Sequence, residues 1–271
     1  MTRWLLILSF SFWMLPMSGY SQSSAHLRKK NGYFLIAHRG GIIDSSNTED
    51  SGPPIEAAIR KGYDMIEVDL RLTKDSVFII QHDPTFKRYY GVDKPVSSMT
   101  WNEISKLRSS KGGSKVLKFE EVLKLCQGKM QLMIDNKIRG RDSVLFTNLL
   151  NLLSRYNLLS QAMMIGTEES TPFFTGKIKL SCTREQLESN MEKPGYSSRN
   201  YYLFDLPKNL SVSDVDWAKK NDIQVVAVIN EFRYFHSDNP AKESESDINK
   251  MISEGVRCFQ IDSRFDAPFF Y

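Results

Sequence analysis

From Tyr33 onward the chain alternates short apolar runs with amphipathic segments, and no other feature limits its fold so strongly. The runs are 34–37, 65–70, 77–80, 131–134, 162–165, 177–180, 201–204, 224–229 and 258–261. Runs that are short, apolar and unalternating read as strands buried on both faces, with the intervening segments as covering helices. Residues 142–156, for example, carry Leu145, Leu149, Leu152 and Leu153 at helical spacing, and Thr100-Trp-Asn-Glu103 has the form of a capping box that predicts a helix carrying Ile104 and Leu107. One connection breaks the pattern. Only Arg71–Ser76 separates Leu70 from Val77, far too few residues for a parallel crossover. Thr73-Lys-Asp-Ser76 therefore predicts a β-hairpin joining 65–70 to 77–82, with His82 roughly opposite Glu67. Nine runs less one return arm leave eight, and the fold class expected is α/β, a TIM-type (β/α)8 barrel in one domain over residues 33–271.

Ahead of that domain, Arg3 precedes an apolar run from Trp4 to Leu15, then Pro16 and the small residues Gly19 and Ser21 before Gln22. This is the pattern of a secretory signal peptide over residues 1–21, which leaves 22–32 as a flexible lead-in and predicts an exported protein, periplasmic or secreted. The run is shorter than the roughly 20 residues needed to span a bilayer, and no later segment is long enough, so no stable membrane insertion is expected once the signal is cleaved. Lys and Arg number 36 against 32 Asp and Glu, dispersed along the chain, which argues against a dedicated nucleic-acid binder. Cys126, Cys182 and Cys258 sit in apolar stretches with no Cys-x-x-Cys spacing and are expected to be buried thiols.

In a barrel of this kind the chemistry sits where strands end. His38-Arg39-Gly40 follows the first run; Glu67 and Asp69 lie two apart on the second and share a face; His82-Asp83 ends the third; Asp135-Asn136-Lys137 closes the fourth. Carboxylate oxygens suit a hard cation, two histidines suit proton transfer, and Arg39 and Lys137 suit an anion. Carboxylates alone repel phosphate, so cleavage of a phosphodiester there requires a divalent ion to invert the local field.

On these residues the chain resembles the glycerophosphodiester phosphodiesterase family of phospholipase C-like barrels. The family pattern His-Arg-Gly, Glu-Asn-Thr, Glu-x-Asp, His-Asp and Glu-x-Lys reads here as His38-Arg39-Gly40, Glu49-Asp50-Ser51, Glu67-Val68-Asp69, His82-Asp83 and Asp135-Asn136-Lys137, and residues 255–262 look like the closing strand. The resemblance implies that Glu67, Asp69 and Asp135 bind one divalent cation, Mg²⁺ or Ca²⁺, that His38 and His82 are the acid/base pair, and that Arg39 and Lys137 contact phosphate. It also raises a metal or phosphate contact for Glu49. Two departures stand out: Asp50 replaces the usual Asn, and Asp135 replaces the usual Glu, as it does in related sphingomyelinase-type phospholipase D barrels. Asn230 fits only the end of a Trp-Thr-Val-Asn motif, with Ala227 at the Trp position.

The activity expected is hydrolysis of a small-molecule glycerophosphodiester to glycerol 3-phosphate and an alcohol. The alternatives are a phospholipase D-like action on lysophospholipids or sphingolipids, or a barrel that binds a phosphoryl ligand without turnover. His26, in the lead-in, carries no expected role, and His236, in a long loop over 231–247, is at most a substrate contact. Phe86-Lys-Arg-Tyr-Tyr90 reads either as a headgroup contact or as an ordinary packed loop. No Ser or Cys stands at a strand end as a nucleophile, and no third residue is set to orient either histidine. The attacking group is therefore expected to be the substrate's own 2-hydroxyl.

Overall fold

The computed structural model describes residues 29–271, so the signal peptide and residues 22–28 of the lead-in lie outside the described residues. Nine strands form the main sheet: β1 (Phe34–Ala37), β2 (Met65–Leu72), β3 (Phe78–Ile80), β4 (Gln131–Asn136), β5 (Met163–Ile165), β6 (Lys179–Cys182), β7 (Tyr201–Asp205), β8 (Gln224–Ile229) and β9 (Cys258–Ile261). Eight of them pair in parallel in the order β1-β2-β4-β5-β6-β7-β8-β9, and β9 pairs back onto β1, so the barrel closes. The ninth, β3, runs antiparallel to β2 as a return arm. Thr73 makes the turn between them: its N–H donates to the Val77 carbonyl at 3.0 Å and its hydroxyl accepts from the Val77 N–H at 2.9 Å. Extending the register Leu70↔Ile80 sets His82 level with Val68, one residue from the expected partner Glu67.

Helices α1 (Gly52–Lys61), α2 (Phe119–Cys126), α3 (Ser143–Arg155), α4 (Arg184–Met191), α5 (Val212–Lys220) and α6 (Pro240–Ser253) cover the outside. Their starts follow local chemistry: Asp142 accepts from the Leu145 N–H at 2.9 Å at the head of α3, and Thr183 and Ser211 cap α4 and α5 with capping boxes. Strand alternation splits the barrel's apolar residues into two sets. Leu35, Ile66, Val68, Leu132 and Ile134 face outward against Val122, Leu123, Phe146 and Leu149, whereas Ile36, Met65, Met133, Met163, Tyr202, Val226 and Cys258 fill the interior.

Three expectations shift. The Thr100 capping box forms, but its helix ends at Ile104, and Leu107 packs from the turn beyond, in a separate small core with Phe86, Val96 and Ile104. The sixth strand starts two residues late, at Lys179. The loop over 231–247 is cut short because Asn239 caps α6, its side chain accepting from the Lys242 N–H at 3.1 Å. All three cysteines are buried free thiols. Among the described residues no helix is long and apolar enough to cross a membrane. Lys29 and Lys30, at the end of the lead-in, are tied to the barrel: Lys29 pairs with Asp64, and the Lys30 N–H donates to the Phe269 carbonyl at 2.8 Å.

Candidate active site

Alternation along four strands brings the polar residues together. His38 continues the inward face of Ile36, Glu67 and Asp69 that of Met65, Asp135 that of Met133, and Asp262 that of Cys258. Register then sets their heights. Asp69 pairs with Asp135 across β2 and β4, and Ala37 pairs with Ile261 across the seam, so His38 and Asp262 leave their strands side by side.

Oxygens of Glu67, Asp69 and Asp135 lie within 4.8 Å of one another, with the first two carboxylates almost wholly buried. Lys137 pairs with Asp135 and reaches Asp69 at 3.2 Å, while Asp69 Oδ2 has no hydrogen-bond partner among the described residues. Three convergent carboxylates with an orphaned inner oxygen fit a hard divalent cation. Burial and the charges of Asp69 and Asp135 push Glu67 from its ordinary 4.5 up to about 8, against the opposing pull of His38 and the Arg39 N–H.

Each histidine is held by a carboxylate at Nδ1. His38 Nδ1 lies 2.6 Å from Asp262, and His82 Nδ1 lies 2.9 Å from Asp83, so in each ring the aspartate leaves Nε2 facing the rest of the site. Asp262 was not foreseen, and the expectation that neither histidine has an orienting partner is overturned. The residue ends the last strand and so met the strand-end rule, but its partner stands 224 positions away and only barrel closure joins them. Burial lowers the His38 pKa, but the hydrogen bond to Asp262 and the charges of Asp262 and Glu67 outweigh it, and the net shift is upward.

Arg39 joins the two halves of the site. Its N–H donates to Glu67 at 2.8 Å, its Nη1 to Glu49 at 3.2 Å, and its Nη2 lies 2.9 Å from His82 Nε2. The residue adopts φ 49°, and the chain then folds back so tightly that a Cβ on Gly40 would stand 2.8 Å from the Asp50 backbone. Glu49 takes Arg88 as a second partner and meets Tyr89 Oη at 3.4 Å; Arg88 also holds Asp83. Residues 86–90 thus supply Arg88 and Tyr89 to the wall of a cavity of about 720 Å³ that also contains His38, Arg39, Glu49 and Asp262. His236 is not among its lining residues, and Asn230 caps the turn that follows β8.

Asp50, the departure from Asn, is buried with neither carboxylate oxygen hydrogen-bonded among the described residues. Burial and the charges of Asp69, Glu67 and Glu49 raise its pKa well above the ordinary value. A carboxyl whose folded pKa exceeds its unfolded one stabilises the fold fully below the unfolded pKa and loses that contribution as pH rises through the folded one. For Glu67 this window runs from 4.5 to about 8, and Asp50 acts in the same direction. In chelator, the melting temperature should therefore fall across that window, and Asp50→Asn should raise it by a few degrees at the alkaline end. A flat profile in both proteins would refute this account of the carboxylates.

Residues 38–148 match the Glycerophosphoryl diester phosphodiesterase family. This segment belongs to that family. It holds every residue proposed from the sequence for catalysis, phosphate or metal, and Asp262 lies beyond it. A human lysophospholipase D is 35% identical over 81 residues, 29% of this chain and 25% of that protein. A glycerophosphodiester phosphodiesterase from Caldanaerobacter subterraneus is 39% identical over 74 residues, 27% of this chain and 29% of its own. The chain spans about a quarter of the length of the first curated relatives it matches. Among solved structures, a glycerophosphoryl diester phosphodiesterase from Parabacteroides distasonis superposes with TM-score 0.72 at 19% identity, covering 91% of this chain and 94% of that one. An Oleispira antarctica phosphodiesterase in complex with the product sn-glycerol-3-phosphate gives TM-score 0.68 at 17% identity, covering 86% and 95%. At these identities the likeness is one of fold, and it covers nearly the whole described chain.

Proposed function

We propose that the chain is an exported, metal-dependent glycerophosphodiester phosphodiesterase, a phosphoric diester hydrolase that releases glycerol 3-phosphate and an alcohol. The observation that carries this reading is the pair of imidazoles, each oriented by its own carboxylate, beside a buried carboxylate trio and joined to it by Arg39. A barrel that only bound a phosphoryl ligand would have no use for two oriented imidazoles.

Glu67, Asp69 and Asp135 would hold Mg²⁺ or Ca²⁺, whose charge when bound offsets theirs and polarises a nonbridging phosphate oxygen. Arg39 and Lys137 would take the phosphate's remaining charge. His82, whose Nε2 meets the Arg39 guanidinium, a donor only, at 2.9 Å and therefore presents a lone pair there and not a proton, suits the base. It would remove the proton of the substrate's 2-hydroxyl, whose oxygen bonds to phosphorus. His38, whose pKa the hydrogen bond and charge of Asp262 help to raise, suits the acid and would protonate the alcohol as its bond to phosphorus breaks. Water would then open the resulting cyclic phosphate to glycerol 3-phosphate, with the two histidines exchanging roles.

This route requires the neighbouring hydroxyl, which attacks at the high effective concentration of an attached group. Glycerophosphocholine should be cleaved at least about 10²-fold faster than its 2-deoxy analogue. Equal rates would mean direct attack by water and would sink the route.

A further inference from the structure

We propose that the mouth of the barrel opposite the catalytic groups holds a second anion site, which takes a small organic phosphate on Lys179 and Arg199. This rests on the fold and is independent of the phosphodiesterase reading above. His38, Asp135 and Asp262 stand at the C-terminal ends of their strands, whereas Phe34, Lys179 and Gln224 begin β1, β6 and β8. Lys179 pairs in register with Met163, one of the residues that fill the interior, so its side chain turns into the floor of the barrel. A cavity of about 760 Å³ opens there, bordered by Phe34, Gln131, Lys177, Lys179, Arg199 and Gln224, and among the described residues no Asp or Glu lines it.

Lys179 is what points to a ligand. Its Nζ donates to the Gln224 side-chain oxygen at 2.9 Å, Lys177 donates to the Phe173 carbonyl, and among the described residues none of Lys177, Lys179 and Arg199 enters an ion pair. Burial lowers the Lys179 pKa from its ordinary 10.5 by more than Cys258 and Asp222 raise it. An ammonium drawn from water without a counter-charge destabilises the fold, and a bound anion removes that cost. The catalytic end is built otherwise: Lys137 is matched by Asp135, Arg39 and Arg88 by Glu49, and Arg264 by Glu231. Nor does the start of the chain supply the missing charge, since residues 1–28 contain no Asp or Glu.

The lining also selects the kind of anion. Three cations with no acid call for more than one negative charge, and a guanidinium spans two phosphate oxygens as a lone ammonium cannot. The amides of Gln131 and Asn200 in the same wall suit hydroxyl groups beside that charge. A phosphomonoester on a polyol meets both. The adjoining cavity of about 820 Å³ shares Lys179, Arg199 and Gln224 but brings in Asp216, Asp222 and Glu254, so the phosphate seats on the acid-free side.

The test titrates the protein calorimetrically with glycerol 3-phosphate after its metal has been removed and the chelator dialysed away. The catalytic carboxylates then repel phosphate, whereas the floor needs no metal. Inorganic phosphate is the second probe and glycerol the uncharged control. One glycerol 3-phosphate should bind per chain, phosphate should bind as well, and glycerol should not. Lys179→Gln, which keeps a donor for Gln224, and Arg199→Gln, on the exposed surface, should each weaken glycerol 3-phosphate at least about ten-fold. Arg39→Gln/Lys137→Gln should leave that affinity in place. A lysine serving only the fold would show itself differently, by a lower melting temperature in ligand-free Lys179→Gln with glycerol 3-phosphate affinity unchanged. If Lys179→Gln does not fold, Arg199→Gln decides. Loss confined to the floor variants supports the site. No binding, binding of glycerol as well, or loss in the Arg39/Lys137 variant with the floor variants unaffected would overturn it.

Discussion

Glu67→Gln or Asp69→Asn should reduce turnover by at least about 10³-fold, weaken Mg²⁺ and Ca²⁺ binding by at least about ten-fold, and make the metal-free protein more stable. The three effects have one cause. The carboxylates of Glu67, Asp69 and Asp135 crowd within 4.8 Å, and Lys137 is the one ammonium spanning two of them among the described ion pairs. Without a cation their mutual repulsion is a cost of folding; with one it becomes affinity. Either amide keeps the side-chain shape and an oxygen acceptor while removing a charge. A residue serving only the fold would behave in the opposite way, since losing it would lower the melting temperature. Calorimetric titration with each cation, alongside melting in chelator, separates the cases. Unchanged affinity in both variants would remove the assigned site.

His38→Ala and His82→Ala should each cost at least about 10²-fold in turnover, and the wild-type pH–rate profile should be bell-shaped, with two apparent pKa values belonging to the coupled site. Asp262→Asn tests the assignment of His38 as acid. The carboxylate's hydrogen bond and charge are what lift the His38 pKa despite burial. Their loss should bring it down, and an acid must be protonated to act, so the alkaline limb of the profile should move to lower pH as well as the maximum falling. A purely structural aspartate would lower the maximum and leave the limb in place. A His82→Ala protein with near-normal turnover would rule out its role.

Much of the site was legible because strand chemistry is local. Glu67 and Asp69 share a face by the two-residue period alone, and the six residues between Leu70 and Val77 force a hairpin whatever surrounds them. That hairpin put His82 within one residue of its observed level. The apolar runs marked eight barrel strands and a return arm because strands buried on both faces need unbroken apolar sequence. Boundaries were less secure. The helix opened by Thr100 stops at Ile104 because an N-cap determines where a helix begins and not how far it runs.

The sequence by itself therefore determined the strand count of the barrel, the hairpin, and the residue types that face inward at the strand ends, though not the small two-stranded sheet of Thr85–Phe86 with Val92–Pro95. Tertiary structure alone decided which of them touch. Closure of the barrel joined His38 to Asp262 across 224 positions, and the fold-back at Arg39 and Gly40 brought Glu49 and His82 to the Arg39 guanidinium, with Arg88 on the other oxygen of Glu49. It also left Phe232 and Phe235 in solvent, on a segment that the sequence reading took for a loop. The division follows from range: backbone periodicity and turn chemistry act over a few residues, whereas contacts across a closing seam depend on the register of every strand between them.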